Sequence, residues 1–169
     1  MTHAIRIHQT GGPEVLRWEQ IDVPAPAAGE ATVRHHAVGL NFIDTCRRTG
    51  LYPRSLPSGI GLEGAGVVTA VGEGVSEVIV GDRVAYAGGP PGAYAEVRNI
   101  PAHRLLKLPE AIAFETAAAM MLQGLTAAYL LRRTYRVQPG DAVLIHAAAG
   151  GVGLIACQWA KALGATVIG

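Results

Sequence analysis

Two hydrophobic patterns divide the chain. Up to about residue 108, short runs of alternating apolar and polar residues are separated by turn residues, as in residues 4–8 and 30–38. From about residue 109 onward, alanine-rich stretches carry apolar residues at helical spacing. The first pattern predicts β-strands and the second predicts helices. The sequence therefore predicts an α/β protein whose N-terminal part is rich in β-structure.

The predicted strands are short and closely spaced, which is typical of a small irregular barrel. Residues 30–38 alternate with a period of two, so we expect a half-exposed strand there. Residues 41–50 predict a short helix or turn, and residues 93–97 predict a further strand. The four glycines of residues 59–66 indicate bends or close backbone approach at a barrel corner. A phosphate loop is less favoured because no Lys-Ser or Lys-Thr follows.

The composition changes at Pro109, where the alanine-rich part begins. We therefore place a domain boundary here, with residues 1–112 in the first domain and residues 113–169 in the second. Two helices are expected between residues 110 and 134, interrupted near Gly124. The second of them is expected to lie beside the strand that follows.

A glycine-rich turn joins an apolar strand to a helix. Residues 141–146 form a continuous apolar run, which predicts a buried parallel strand, and a helical pattern follows the turn Ala148-x-Gly150-x-x-Gly153. Gly150 would let the main chain approach a pyrophosphate, and Gly153 would let the helix pack closely on its strand. The N–H groups at the start of that helix would bind the anion. Because a second apolar run at residues 165–168 completes a βαβ unit, the turn predicts a dinucleotide site rather than only a tight turn.

Composition and length narrow the function classes. The chain has a net charge of +1, only 16% charged residues and no basic run, so we expect no nucleic-acid partner. Half of the residues are hydrophobic, yet no apolar run reaches membrane-spanning length and no secretion signal begins the chain, so we expect a cytoplasmic protein without a membrane partner. Cys46 and Cys157 are expected to be free thiols. Since a dinucleotide domain needs two βαβαβ halves, 169 residues are expected to be a truncated chain.

Six motifs occur in order along the chain: VGLNFID at 38–44, GLYP at 50–53, GLEGAG at 61–66, VGDRV at 80–84, QGLT at 123–126 and AAAGGVG at 147–153. In this order they resemble the zinc-free quinone oxidoreductases, the zeta-crystallin-like members of the medium-chain dehydrogenase/reductase superfamily. The resemblance implies a GroES-like barrel followed by the start of a Rossmann dinucleotide-binding domain, with NADPH in the cleft between them. It also implies reduction of a small-molecule quinone or enone, and a homodimer when the chain is full length.

The resemblance also bears on metal chemistry. Zinc-dependent relatives place their catalytic ligands at positions that correspond to Asn41, Leu62 and, less securely aligned, Gln123, and none of these is a cysteine or histidine. The six histidines are expected to be structural or surface residues, and no metal is expected. Without a Lewis acid, hydride transfer favours a quinone or conjugated enone, whose electrons delocalise the developing charge.

The resemblance assigns roles to three residues of the acceptor site. Asn41 is the expected catalytic hydrogen-bond donor, with contacts to acceptor and cofactor, although asparagine is also a common turn residue. Tyr52 is expected to stack on or hydrogen-bond to the acceptor, and an aromatic lid over the barrel explains it equally well. Cys46 lies where the family often has tyrosine, so the substrate pocket would be wider here.

The resemblance also assigns the cofactor contacts. Thr126 resembles the residue that touches the nicotinamide amide, and helix capping is its alternative role. Glu63 and Asp44 resemble acidic residues that hold the cleft together. The full set expected to bind NADPH is Asn41, Thr126, Ala148, Gly150, Gly151, Val152 and Gly153. Two other functions stay open: an enal or enoyl-thioester reductase, and a non-catalytic, crystallin-like nucleotide-binding scaffold.

Overall fold

The computed structural model describes all 169 residues, which form two compact units, Met1–Met121 and Leu122–Gly169. The strands are β1 (Thr2–Ile7), β2 (Arg17–Ile21), β3 (Glu30–Gly39), β4 (Ser58–Gly59), β5 (Glu63–Val71), β6 (Arg83–Ala87), β7 (Val97–Pro101), β8 (Leu106–Lys107), β9 (Ala142–Leu144) and β10 (Thr166–Ile168). The helices are α1 (Phe42–Thr49), α2 (Phe114–Tyr129) and α3 (Gly151–Ala162). The domain boundary expected between residues 112 and 113 stays a prediction.

The first unit contains two antiparallel sheets, which confirms the β-rich N-terminal part. One sheet has the strand order β2-β1-β4 and the other has the order β7-β3-β5-β6-β8. A single bridge between Ala4 and Ala95 links β1 to the segment before β7. The core of this unit is built from small and branched side chains of the larger sheet, including Ala31, Val33 and Val84, which have no exposed surface.

Strand β3 follows the predicted alternation only in part. Bulges interrupt its pairing with β5 between Thr32 and Val33 and between His35 and Ala37. Thr32 is buried together with its neighbours Ala31 and Val33, so burial along β3 does not alternate strictly with a period of two. Bulges bend a strand and increase its twist, which suits a strand that contributes to more than one hydrophobic cluster.

The glycine-rich segment before and within β5 confirms the expectation of close backbone approach. A side chain at Gly66 would overlap the carbonyl oxygen of Arg34 on the neighbouring strand. Gly61 has a φ of +90°, which an L-residue adopts only with strain.

The strand expected at residues 93–97 is displaced in the structure, because the ladder of β7 begins only at Val97. The preceding N–H groups of Ala93 and Tyr94 donate to the carbonyls of Gly61 and Ile60 instead. The segment 93–97 therefore bonds to several neighbouring segments rather than to one strand, which the alternating pattern alone does not reveal.

A partly buried polar group of the first unit is His35. Its Nδ1 lies 2.6 Å from the carbonyl oxygen of Ala95, and its Nε2 lies 2.8 Å from the hydroxyl of Tyr86. Because a carbonyl only accepts, Nδ1 carries the proton and Nε2 accepts from Tyr86. Burial lowers the pKa of His35 to about 4, opposed by the Ala95 hydrogen bond and assisted by the charge of Arg98.

Helix α2 is continuous over 16 residues, so the prediction of two helices interrupted near Gly124 is wrong. A glycine in a helix interior costs about 1 kcal/mol relative to alanine, which packing readily offsets. The Thr126 hydroxyl also stays within the helix, where it donates to the Leu122 carbonyl at 2.7 Å. The chain continues from α2 into a π-helical turn at Leu130–Thr134.

The second unit confirms the predicted βαβ arrangement, with β9 and β10 parallel and α3 as the crossover. Its core brings the end of α2 together with α3 and the strands through the buried residues Ala127, Leu131, Val137, Ala156, Ala160 and Ala165. Within residues 1–169, Ala142 is exposed and Leu144 is 63% exposed, so burial of β9 on both faces stays a prediction. Only the face that carries Val143 and Ile145 packs against the core.

Candidate functional site

Asn41 caps the N-terminus of α1 and is only 7% exposed. Its backbone is extended, and its N–H donates to Asp44 Oδ2 at 3.1 Å. The N–H of Asp44 in turn donates to the Asn41 carbonyl at 2.9 Å. Asn41 therefore acts as a turn former through its backbone groups. These contacts leave the N–H donors of its side-chain amide available for other partners.

The Asn41 amide is held by a second buried carboxylate. Its Nδ2 donates to Glu63 Oε2 at 2.7 Å, and Glu63 is only 1% exposed at the start of β5. A side chain at Gly39 would overlap this carboxylate and the carbonyl oxygen of Ala118. Glycine at position 39 therefore makes room for Glu63. One of the two N–H donors of the amide is used in this way, and the amide is fixed in one orientation.

The Asp44 carboxylate receives a second donor from the chain, since the Tyr94 hydroxyl lies 2.8 Å from Asp44 Oδ2. Burial, followed by the hydrogen bond to Asp44 and the charge of this carboxylate, raises the pKa of Tyr94 well above its ordinary value. Tyr94 thus remains a protonated donor. Asp44 is 2% exposed and its Oδ1 has no hydrogen-bond partner. The acidic residues expected to hold a cleft together hold Asn41 in place here.

Cys46 lies in the second turn of α1, and Tyr52 lies in the loop that follows the helix. Cys46 is buried, and its carbonyl accepts the Tyr52 N–H at 3.2 Å. An eight-residue helix is about 12 Å long. Tyr52 is 52% exposed and lines a cavity of about 240 Å³ that Asn41 does not line. The acceptor contacts expected of Asn41, Cys46 and Tyr52 stay predictions.

The glycine turn of the second unit leaves the N-terminus of α3 open. Gly150 occupies the N-cap position, so no side chain caps the helix, and its first turn contains no acidic residue. Helix N-termini attract anions because their first N–H groups lack intrahelical acceptors and the helix dipole is positive there. Ala147, three residues before Gly150 in the turn, has a φ of +53°. For a residue other than glycine this conformation stores strain, as is common at binding turns.

The glycines of the turn are required to different degrees. A side chain at Gly153 would overlap the Ala147 carbonyl oxygen and lie 2.7 Å from Ala148 backbone atoms. A side chain at Gly151 would lie 2.5 Å from the Gln123 amide carbon. At Gly150 the nearest atom is the Ala147 carbonyl oxygen at 3.1 Å, so glycine is least demanded there by the fold itself.

Four of the expected cofactor residues, Gly150 to Gly153, line a cavity of about 500 Å³ together with apolar side chains such as Val137 and Ile145. Thr126, also in the second unit, is half-buried, and its hydroxyl donates a hydrogen bond to the Leu122 carbonyl. It can therefore only accept a hydrogen bond from another group. The sequence did not predict the position of Gln123 against Gly151, which only the packing of α2 reveals.

Across residues 1–169, no three His, Cys, Asp or Glu side chains converge in a metal-binding arrangement. Leu62, at the position of a ligand in zinc-dependent relatives, is buried and has no donor atom. None of the helices is both long and apolar enough to cross a membrane.

Residues 27–110 match the alcohol dehydrogenase GroES-like domain family. Quinone oxidoreductases from Salmonella typhimurium and Pseudomonas aeruginosa are each 56% identical over 170 residues, which cover 100% of this chain and 52% of theirs. A 2-haloacrylate reductase from Burkholderia sp is 46% identical over 176 residues, which cover 100% of this chain and 53% of that protein. The chain thus spans about half the length of the curated relatives it matches.

Solved structures of quinone oxidoreductases are also similar to this chain. A quinone oxidoreductase from Pseudomonas syringae pv. tomato superposes with a TM-score of 0.97 at 58% identity, covering 100% of this chain and 52% of that one. The Escherichia coli quinone oxidoreductase, solved in complex with NADPH, has a TM-score of 0.96 at 56% identity, covering 99% and 52%.

Proposed function

The chain belongs to the quinone oxidoreductases of the medium-chain dehydrogenase/reductase superfamily, and on that premise we propose that its function is the NADPH-dependent reduction of quinones. The single observation that carries the proposal is the uncapped N-terminus of α3, which follows a glycine turn in a parallel βαβ unit. This is the arrangement that binds the diphosphate of a dinucleotide.

The chain's own residues fit such a cofactor. Gly151, Val152 and Gly153 would present their N–H groups to the diphosphate, and the missing side chain of Gly150 would leave the approach open. The structure of the E. coli relative in complex with NADPH supports this choice of cofactor. NADPH, when bound, would supply the hydride. The contacts of Asn41, Thr126 and Ala148 with the cofactor stay predictions.

Asn41 is the proposed donor to the quinone oxygen. Glu63 takes one N–H of its amide at 2.7 Å and so orients the other. A preoriented donor stabilises negative charge that develops on the oxygen without having to reorganise. Because a quinone delocalises this charge, the proposed reaction needs no metal. We further propose, from the family resemblance, that the protein acts as a cytoplasmic homodimer on a small-molecule quinone.

One relative favours a second candidate function. The Burkholderia relative is a 2-haloacrylate reductase, whose substrate has a double bond conjugated to a carboxylate. Reduction of a conjugated alkene, such as an enal or enoyl-thioester, uses the same hydride donor on a different acceptor. A non-catalytic scaffold that only binds the nucleotide is the remaining alternative.

The test is a turnover assay with the intact protein, NADPH and naphthoquinone, in which the absorbance of the reduced nicotinamide is followed. We expect steady loss of absorbance, and a kcat/KM higher for naphthoquinone than for 2-haloacrylate or an enal. A higher kcat/KM for the alkenes would support the second function. Binding of NADPH without oxidation by any of these acceptors would refute both reductase functions and support the scaffold.

A further inference from the structure

Two arginines outside the proposed chemistry line one cavity of the first unit. Arg47 lies in the last turn of α1, and Arg54 lies in the loop that follows. Together with Tyr52, Pro53 and Pro91 they enclose the cavity of about 240 Å³ described above. The two prolines have a restricted φ, which limits the backbone freedom of this part of the lining.

Both arginines are partly buried, and both guanidinium groups have unused donors. Arg47 Nη1, Arg54 Nε and Arg54 Nη1 are buried without a hydrogen-bond partner, and neither arginine forms an ion pair with a carboxylate. Leaving a buried charged donor unpaired is destabilising. The adjacent Arg48 differs, since its Nε donates to the Gly11 carbonyl at 3.2 Å.

The two positive charges also act on one another. Burial and then the charge of Arg47 lower the pKa of the Arg54 guanidinium. A cation in the last turn of a helix interacts favourably with the helix dipole, which accounts for Arg47. It does not account for Arg54, which lies outside the helix. An anion between the two groups would remove the repulsion and satisfy the three donors together.

We propose that Arg47 and Arg54 bind an oxyanion, specifically a carboxylate or sulfonate substituent of the acceptor. The guanidinium fork matches such groups with two parallel hydrogen bonds. A cavity of about 240 Å³ is smaller than whole-ligand pockets of roughly 300–1,000 Å³, so it fits a substituent rather than the whole acceptor. The assignment to the acceptor rests on the proposed function, through Tyr52.

The first test compares two acceptors that differ only in the anion, naphthoquinone and naphthoquinone sulfonate, with the intact protein. We expect the ratio of their kcat/KM values, sulfonate over neutral, to fall at least about tenfold in Arg54→Gln and in Arg47→Gln, because each loses charged hydrogen bonds. Arg48→Gln is the matched control and should keep the wild-type ratio. An unchanged ratio in both test variants would overturn the proposal.

The second test needs no turnover. Naphthoquinone sulfonate should raise the Tm of the wild type and of Arg48→Gln, and the increase should be much smaller in Arg54→Gln. If this pattern holds but no quinone is reduced, the anion site is supported. Its assignment to the acceptor is then refuted together with the proposed function. If quinones are reduced but Arg54→Gln shows the full increase in Tm, the anion site is refuted and the proposed function stands.

Discussion

At the scale of single residues, Asn41 connects local structure to the proposed chemistry. Its backbone N–H binds Asp44 while its amide binds Glu63, so two buried carboxylates fix one side chain. The sequence predicted Asn41 because turn chemistry and a family motif are local signals. It did not predict the Tyr94–Asp44 bond, since these residues are 50 positions apart. The sequence also did not predict the Arg47–Arg54 pair, because only the structure shows which side-chain donors lack a hydrogen-bond partner.

Asn41→Asp tests how tightly the amide is held. The substitution replaces the donor to Glu63 with a carboxylate, so we expect the free energy of unfolding to fall by about 2 kcal/mol or more at pH 7. Protonation of the pair restores a donor, so part of the loss should be recovered in acid. Urea unfolding at several pH values measures both effects.

Glu63→Gln combined with Asn41→Asp is the control, because an amide opposite the new carboxylate supplies the missing donor. The double variant should be more stable than Asn41→Asp alone at pH 7. Equal stability of Asn41→Asp and the wild type at pH 7 would contradict the described contact.

His35 makes the first unit sensitive to acid. Its folded pKa of about 4 lies below the ordinary 6.5, so the unfolded chain binds a proton over this interval and the folded chain does not. Stability should therefore fall as the pH drops from about 6.5 to about 4, and this contribution is complete above that window. The full shift corresponds to at most about 3.4 kcal/mol, less after allowance for the partial solvation of the half-buried ring.

The measurement is urea unfolding across this pH range for the wild type, His35→Gln and His36→Gln. His36 stacks on Phe114 and serves as the matched control. His35→Gln should flatten the dependence on pH, whereas His36→Gln should keep it. A wild-type stability that does not change between pH 6.5 and 4 would show that His35 is not held neutral.

At the scale of elements, local signals predicted best. Caps and turn residues placed α1 and α3 within a residue or two, because Asn41, Gly50 and Gly164 determine where each helix begins or ends. The prediction failed for α2, where packing overrides the glycine. It failed in part for the strand at 93–97, whose backbone groups bond to β1, to β3 and to the loop before β5. One face of β9 packs on the core as expected, and burial of its other face stays a prediction.

Substitutions in the glycine turn before α3 can distinguish effects on folding from effects on cofactor binding. Gly153→Val should destabilise the second unit, because the added side chain would overlap the backbone at Ala147 and Ala148. Gly150→Val should lower the Tm less and weaken NADPH binding at least about tenfold by blocking approach of the diphosphate. Thermal unfolding and titration with NADPH distinguish the two. Unchanged NADPH affinity in Gly150→Val would contradict the site.

At the scale of the whole molecule, the chain divides into two units with unequal cores. The first contains two sheets and two hydrophobic clusters, whereas the second has 48 residues around a single two-stranded sheet. Domains this small are marginal on their own. The family resemblance predicted the order of these parts, which the family match and the superposed structures confirm.

The uncovered face of β9 and β10 should make the 169-residue chain associate when it is expressed by itself. Leu144 is 63% exposed and Ile168 is 56% exposed on neighbouring strands, and exposed apolar strands promote self-association. Leu144→Lys should reduce hydrophobic dye binding and the aggregate fraction in size-exclusion chromatography. Leu106→Lys, at a similarly exposed leucine of the first unit, is the control and should change both less. An equal effect of the two substitutions would contradict this prediction.

The two free cysteines fall one in each unit, with Cys46 buried in the first and Cys157 partly accessible in the second. A thiol-reactive reagent therefore finds one reporter per unit. Mass spectrometry of the labelled peptides would time the opening of each unit separately, without any engineered probe. The labelling rates of the two native thiols would therefore report local unfolding of the two units independently.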